Sequence, residues 1–183
     1  MNFKKPELKF LVKFIPLITA WFFSYHFIYK IDELFNQDIN LLTDFSIILS
    51  NQSNFILSVF NFKTSTEIHG DIVISKIIDY PNSHGVWIGE PCNGVKVFGL
   101  FSIFIISFKG EIKKKIFYIS IGILILHLLN IIRIAALSYI SVVNPYFLDF
   151  NHNVTFQLLI YGSMLGLWYF WIVKFSSKIK NEN

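Results

Sequence analysis

The feature that most restricts this chain is an apolar run over residues 116–143, broken by a single charge, Arg133, and preceded by Lys109, Lys113, Lys114 and Lys115. A helix rising 1.5 Å per residue needs about 20 apolar residues to cross a hydrocarbon core of about 30 Å, and this run exceeds that. A chain that carries it is built for lipid on the outside. Composition agrees, because 54% of the 183 residues are hydrophobic and 18% aromatic, too apolar for an ordinary soluble domain.

The lysines give the topology. Of the 15, 11 lie before the first apolar stretch (Lys4, Lys5, Lys9, Lys13), in the loop just named, or near and after the end of the last stretch (Lys174, Lys178, Lys180). Positive clusters beside spans mark the cytoplasmic side. The expectation is one membrane domain over residues 1–183, with spans at about 10–29, 94–108, 116–142 and 154–175 and both termini in the cytoplasm. Residues 30–92 then lie outside, and the compartment is an inner membrane. The first span is rich in aromatics (Trp21, Phe22, Phe23, Phe27) and lacks a small-residue cleavage site, so it reads as a retained anchor. Lysines clustered this way belong beside lipid, which argues against nucleic acid as a partner.

Within the outer segment, residues 38–62 repeat apolar positions at helical spacing (Leu41, Leu42, Phe45, Ile48, Leu49, Ile56, Val59, Phe60). Asp44, Ser46, Ser50, Asn51, Ser53, Asn54 and Asn61 take the other side, which suggests an amphipathic helix on the outer leaflet or against the bundle. A fifth buried span is the alternative, and it needs neighbours to satisfy those polar groups. From 63 to 90 the pattern turns β-branched: Ile72-Val73-Ile74, Ile77-Ile78 and Val86-Trp87-Ile88, with Gly70-Asp71 and residues 81–85 as turns. One or two hairpins are expected. The fold class is an all-α integral membrane bundle with a small β-hairpin region on its outer face.

The single cysteine, Cys92, cannot form an internal disulfide, a redox pair or a cysteine-rich zinc site. It is either inert or a nucleophile. Arg133 lies 17 residues beyond Ile116, roughly 25 Å along the helix and therefore near the outer leaflet. A charge at that depth is expensive and usually functional. Cys92 opens the second span from outside and His152 opens the fourth, so three helix ends bring a thiol, a guanidinium and an imidazole to one face. That set suits acyl transfer, with a thiolate attacking a carbonyl, histidine shuttling the proton and arginine stabilising negative charge. Asn130, one turn before Arg133, is a candidate to hold the guanidinium; Glu90 to orient a partner or bind Arg133; Gly94 to allow close backbone approach.

Other groups read as structural. His69, Asp71 and His84 lack metal-ligand spacing and read as exposed turn residues. His26 and His127 fall within spans and read as packing residues. Gly99 and Gly122 suggest close helix packing, and Gly162 with Gly166 has small-xxx-small spacing. No metal or cofactor is called for.

The motifs Glu90-Pro91-Cys92-Asn93-Gly94 and Asn130 to Ile134, with a histidine just before the next span, resemble the exosortase/archaeosortase membrane proteins. The match is closest to the short exosortase F-like branch of Bacteroidetes. The resemblance covers residues 90 to about 170. It implies a membrane cysteine transpeptidase or protease that cleaves C-terminal sorting signals of exported proteins through a thioester. Cys92 would be the nucleophile, Arg133 the electrostatic stabiliser and His152 the acid/base. Implied partners are those exported proteins, membrane lipid and a glycan or lipid acceptor. Asn93 stands where many members have serine. The alternatives are a non-catalytic membrane subunit assisting surface protein or polysaccharide assembly, and a small transporter or channel. The sparse ionisable content within the spans argues against transport.

Overall fold

A computed structural model describes residues 6–34, 41–70, 72–80, 84–89 and 92–176. In chain order these form α1 (Pro6–Leu34), α2 (Leu41–Val59), β1 (Thr64–His69), β2 (Ile72–Ile77), β3 (Val86–Trp87), α3 (Val95–Ser107) and α4 (Ile112–Val143). A 3-10 turn (Pro145–Phe147), α5 (Leu148–Phe150), a π-helical turn (Asn151–Thr155), α6 (Phe156–Trp171) and a second π turn (Ile172–Ser176) follow. Glu90, Asp71, Lys178 and Lys180 lie outside the described residues.

Three described segments have the length and hydropathy of a span: Leu8–Phe27, Ile112–Val143 and Pro145–Phe175. The fourth expected span is shorter. α3 has 13 residues, about 20 Å of helix, and cannot by itself cover a core of about 30 Å. Aromatic side chains bind these helices at the lysine-rich end, where Phe10 of α1 meets Phe104 and Phe108, and Phe104 stacks on Trp168 at 4.0 Å. Lys115 Nζ donates there to the Ile106 and Phe108 carbonyls, tying the start of α4 to the end of α3. Closer to the middle the helices touch through glycines. A Cβ on Gly122 would lie 2.3 Å from the Phe101 ring, and one on Gly99 2.1 Å from Trp21. Gly162 and Gly166 have nothing within 4 Å, so their spacing serves no contact among the described residues.

At the other end a small layer sits on the upper part of α4. β1 and β2 pair antiparallel from Thr64↔Ile77 to His69↔Ile72, and β3 adds to β2 at Ile74↔Trp87 and Ser75↔Val86. Residues 72–77 are therefore one strand, whereas the sequence suggested that Ile77-Ile78 was a separate run. Val73, Ser75 and Ile77 alternate inward, as a period of two requires. Leu57, Ile77 and Ala135 form the small core beneath.

α2 buries its small hydroxyl residues together with two leucines and leaves much of its apolar side outward. Its buried side is Ser46, Leu49, Ser50, Ser53 and Leu57, while Leu41, Ile48, Phe55 and Val59 point outward, Phe55 at 70% exposure. The hydroxyls are satisfied internally. Ser53 donates to the Leu49 and Ile131 carbonyls, Ser50 pairs with Thr66 at 2.9 Å, and Asn54 receives the Ser75 hydroxyl at 2.8 Å. Small hydroxyl residues let helix and sheet approach closely, and an apolar outer flank suits a lipid surround.

Candidate active site

The chain reaches Cys92 from the end of the sheet. After β3, the Cys92 and Asn93 amides both donate to the Gly89 carbonyl, at 2.9 and 3.1 Å, closing a tight turn. Gly94 then takes φ +86°, a left-handed conformation in which a Cβ is costly, and α3 begins at Val95. Asn93 Oδ1 accepts from the Val95 amide at 3.1 Å, satisfying one of the helix's free N-terminal donors. Asn93 is 1% exposed, and its Nδ2 has no partner among the described residues. The thiol thus sits on a strand–turn–helix junction held by backbone bonds on both sides.

α4 clamps this junction. Asn130 Nδ2 donates to the Cys92 carbonyl at 2.8 Å. The amide nitrogen of Asn130 thus holds the Cys92 turn, because that turn packs against the helix face that Asn130 presents. A Cβ on Gly94 would lie 3.2 Å from that Nδ2, so glycine keeps the approach open. One turn on, Arg133 is 6% exposed and its Nη2 lies 3.8 Å from Cys92 Sγ. Among the described residues its buried Nε has no hydrogen-bond partner and no carboxylate pairs with it.

The third group comes from the last span. His152 lies in the π turn that precedes α6, and its Nε2 is 3.1 Å from Cys92 Sγ. π turns recur at functional sites because the wider turn re-aims a side chain. Cys92, Arg133 and His152, expected from the sequence at one depth, are thus within contact of one sulfur. Burial pushes the Cys92 thiol pKa up, and the Arg133 guanidinium partly opposes that shift.

Beside the trio lies a cavity of about 210 Å³, lined by Gly94, Lys96 and Val97 of the first turns of α3, Asn130 and Arg133 of α4, and Gln157, Ile160 and Tyr161 of α6. A larger apolar groove of about 560 Å³ runs between α2 and α4, with Ile131 on its wall. Of the trio, Arg133 lines the smaller one.

Two further contacts were not anticipated. His152 Nδ1 lies 3.1 Å from Asn153 Oδ1. Adjacent side chains on a regular helix diverge by about 100°, so no spacing rule points to this pair. Lys96, Gln157 and Tyr161 line the cavity from positions that read only as ordinary residues of apolar helices.

The remaining histidines lie elsewhere. His127 sits between the rings of Phe45 and Phe98, at 5.8 and 6.3 Å, as a packing residue. His69 and His84 are exposed, and His69 approaches Glu67 at 3.9 Å. No group of three or more His, Cys, Asp or Glu among the described residues could hold a metal ion.

No curated protein and no solved structure matches the chain. A family model described as Transmembrane exosortase (Exosortase_EpsH) matches residues 11–174, which takes in α2, the sheet and all three residues around the thiol. A match over that much of the chain shows its family: the chain belongs to the transmembrane exosortase family.

Proposed function

We propose that this exosortase-family protein is a cysteine transpeptidase or protease that processes C-terminal sorting signals of exported proteins, in the manner of the short F-like branch. What carries the reading is the contact of Cys92 Sγ with both His152 Nε2 at 3.1 Å and Arg133 Nη2 at 3.8 Å, from three separate elements. A nucleophile within reach of a base and a buried cation is the arrangement acyl transfer requires.

In this reading His152 Nε2 takes the thiol proton, and the sulfur attacks the scissile carbonyl carbon of a peptide seated in the 210 Å³ cavity. The C–S bond forms as negative charge develops on the carbonyl oxygen. Arg133, which lines that cavity, stabilises the charge. His152 then returns the proton to the departing amine as the C–N bond breaks, leaving a thioester on Cys92. Water, or an amine on a glycan or lipid acceptor, resolves it by attack on the same carbon. The lysine clusters beside the spans support an orientation with both termini in the cytoplasm and the site toward the periplasmic face of an inner membrane.

The test is expression of Cys92→Ala, Arg133→Ala and His152→Ala beside an exported protein bearing such a signal, with intact-mass analysis of Cys92. Loss of processing in all three, and an adduct at Cys92 in the parent, is expected. Normal processing by the three variants at normal abundance would end the proposal.

A further inference from the structure

We infer that Asn153 is a positioning residue for the base, a role that rests on the Cys92–His152 pairing proposed above. Neutral imidazole carries one N–H, and which nitrogen bears it decides whether His152 can act as a base toward sulfur. The Asn153 Oδ1 at 3.1 Å from Nδ1 accepts a hydrogen bond and cannot donate one. The proton is therefore held on Nδ1, and the Nε2 lone pair faces Cys92 Sγ at 3.1 Å. In the other tautomer Nε2–H would point a donor at a thiol that must give up its own proton.

The bond also acts after transfer. When Nε2 receives the thiol proton, Nδ1–H becomes a stronger donor, and the amide oxygen stabilises the imidazolium. An amide does so without adding a negative charge close to the sulfur. Among the described residues, the Cys92 thiol is in direct contact with the imidazole and also bonds the Arg133 guanidinium; Asp149 lies three residues before His152 on the same helical stretch, and Lys96 lines the same cavity as Arg133. Among the described residues no carboxylate bonds to His152, so this amide alone orients the ring. The π turn makes the geometry, carrying His152 and Asn153 together just before α6.

The single cysteine gives a direct assay on the full chain in detergent, because a neutral reagent such as iodoacetamide alkylates only Cys92. Rates are read by intact mass across pH, for the parent and for Asn153→Ala, Asn153→Asp and His152→Ala, with melting temperature as a folding control. Asn153→Ala should alkylate roughly three- to tenfold more slowly near neutral pH, the worth of one ordinary hydrogen bond, with its rise displaced to higher pH. Asn153→Asp, which keeps the acceptor, should recover the parent rate or exceed it. His152→Ala sets the floor. A parent-like profile in Asn153→Ala, with His152→Ala slowed, overturns this inference and leaves the pairing standing. A parent-like profile in His152→Ala overturns the pairing and the inference with it.

Discussion

Replacing Gly94 by alanine probes the joint on which the thiol sits. Two costs can be worked from the geometry. A Cβ in the left-handed region, at φ +86°, costs about 1–2 kcal/mol. That Cβ would also stand 3.2 Å from Asn130 Nδ2 and 3.2 Å from Phe98 Cζ. The Phe98 ring tip can yield, but Asn130 can yield only by lengthening its 2.8 Å bond to the Cys92 carbonyl. A lost bond of this kind adds about 0.5–1.5 kcal/mol. The total of about 2–3 kcal/mol corresponds to a fall in melting temperature of roughly 4–12 °C for a chain of this size. Melting can be followed with a thiol-reactive dye, since Cys92 is the sole and buried thiol. A double-mutant cycle separates the two terms: in an Asn130→Ala background, Gly94→Ala should cost only the backbone term. Strict additivity between the two substitutions would refute the shared contact, and an unchanged melting temperature would refute both terms.

Three other perturbations follow from the packing and the charge. Gly122→Ala, whose Cβ would meet the Phe101 ring at 2.3 Å, should cost about 1–3 kcal/mol and broaden the gel-filtration peak, while Gly162→Ala, with open space around it, should leave the melting temperature unchanged. In α2 the usual pattern should invert: Ser53→Leu on the buried face should abolish accumulation, and Phe55→Leu on the apolar flank should be silent on a blot of the membrane fraction. For pH dependence, burial disfavours the Cys92 thiolate and Arg133 favours it, so Arg133→Gln leaves burial unopposed. Alkylation of that variant should begin at a higher pH than in the parent, and a shift toward acid would contradict the assigned causes.

How far the sequence could be read depends on what kind of information each part of the fold uses. Span positions follow from runs of apolar residues between lysines, an energy that is nearly additive along the chain. The meeting of Cys92, Arg133 and His152 follows from counting helix rise. The orientation of α2 does not follow, because periodicity separates two faces without saying which medium lies outside. In water the serine side would face out; with lipid on one flank and a sheet on the other, the small hydroxyls go inward. One clue was present: only Asp44 on that polar side carries a charge. β1 was missed because Thr64–His69 has no apolar alternation and exists through its pairing with β2. The Asn130 bond to the Cys92 carbonyl was not anticipated for a similar reason. The one-turn spacing of Asn130 from Arg133 is visible in the sequence, but the carbonyl that its Nδ2 binds comes from a turn on another element.

The depth of the site can be worked from the same helices, and it yields a last prediction. Lys115 bonds to the carbonyls of Ile106 and Phe108, so these residues share a level at the lysine-rich edge. From Lys115 to Asn130 is 15 residues, about 22 Å of helix, and the 13 residues of α3 give about 20 Å. Measured across a core of about 30 Å, Cys92 then lies roughly 8–10 Å short of the far edge. α4 continues past Arg133 to Val143, and the sheet and α2 pack along this stretch, which roofs the thiol. In the proposed mechanism a site in this position would keep bulk water from the thioester and strengthen the Arg133 interaction. Spin labels can measure the depth in a Cys92→Ala background. A label at Tyr161, which lines the cavity and is 46% exposed, should be more accessible to oxygen than to a polar nickel complex. One at Tyr146, beyond the end of α4 and 96% exposed, should show the reverse. Equal preference for the nickel complex at both positions would put the cavity in water, and water exclusion could then have no part in the chemistry.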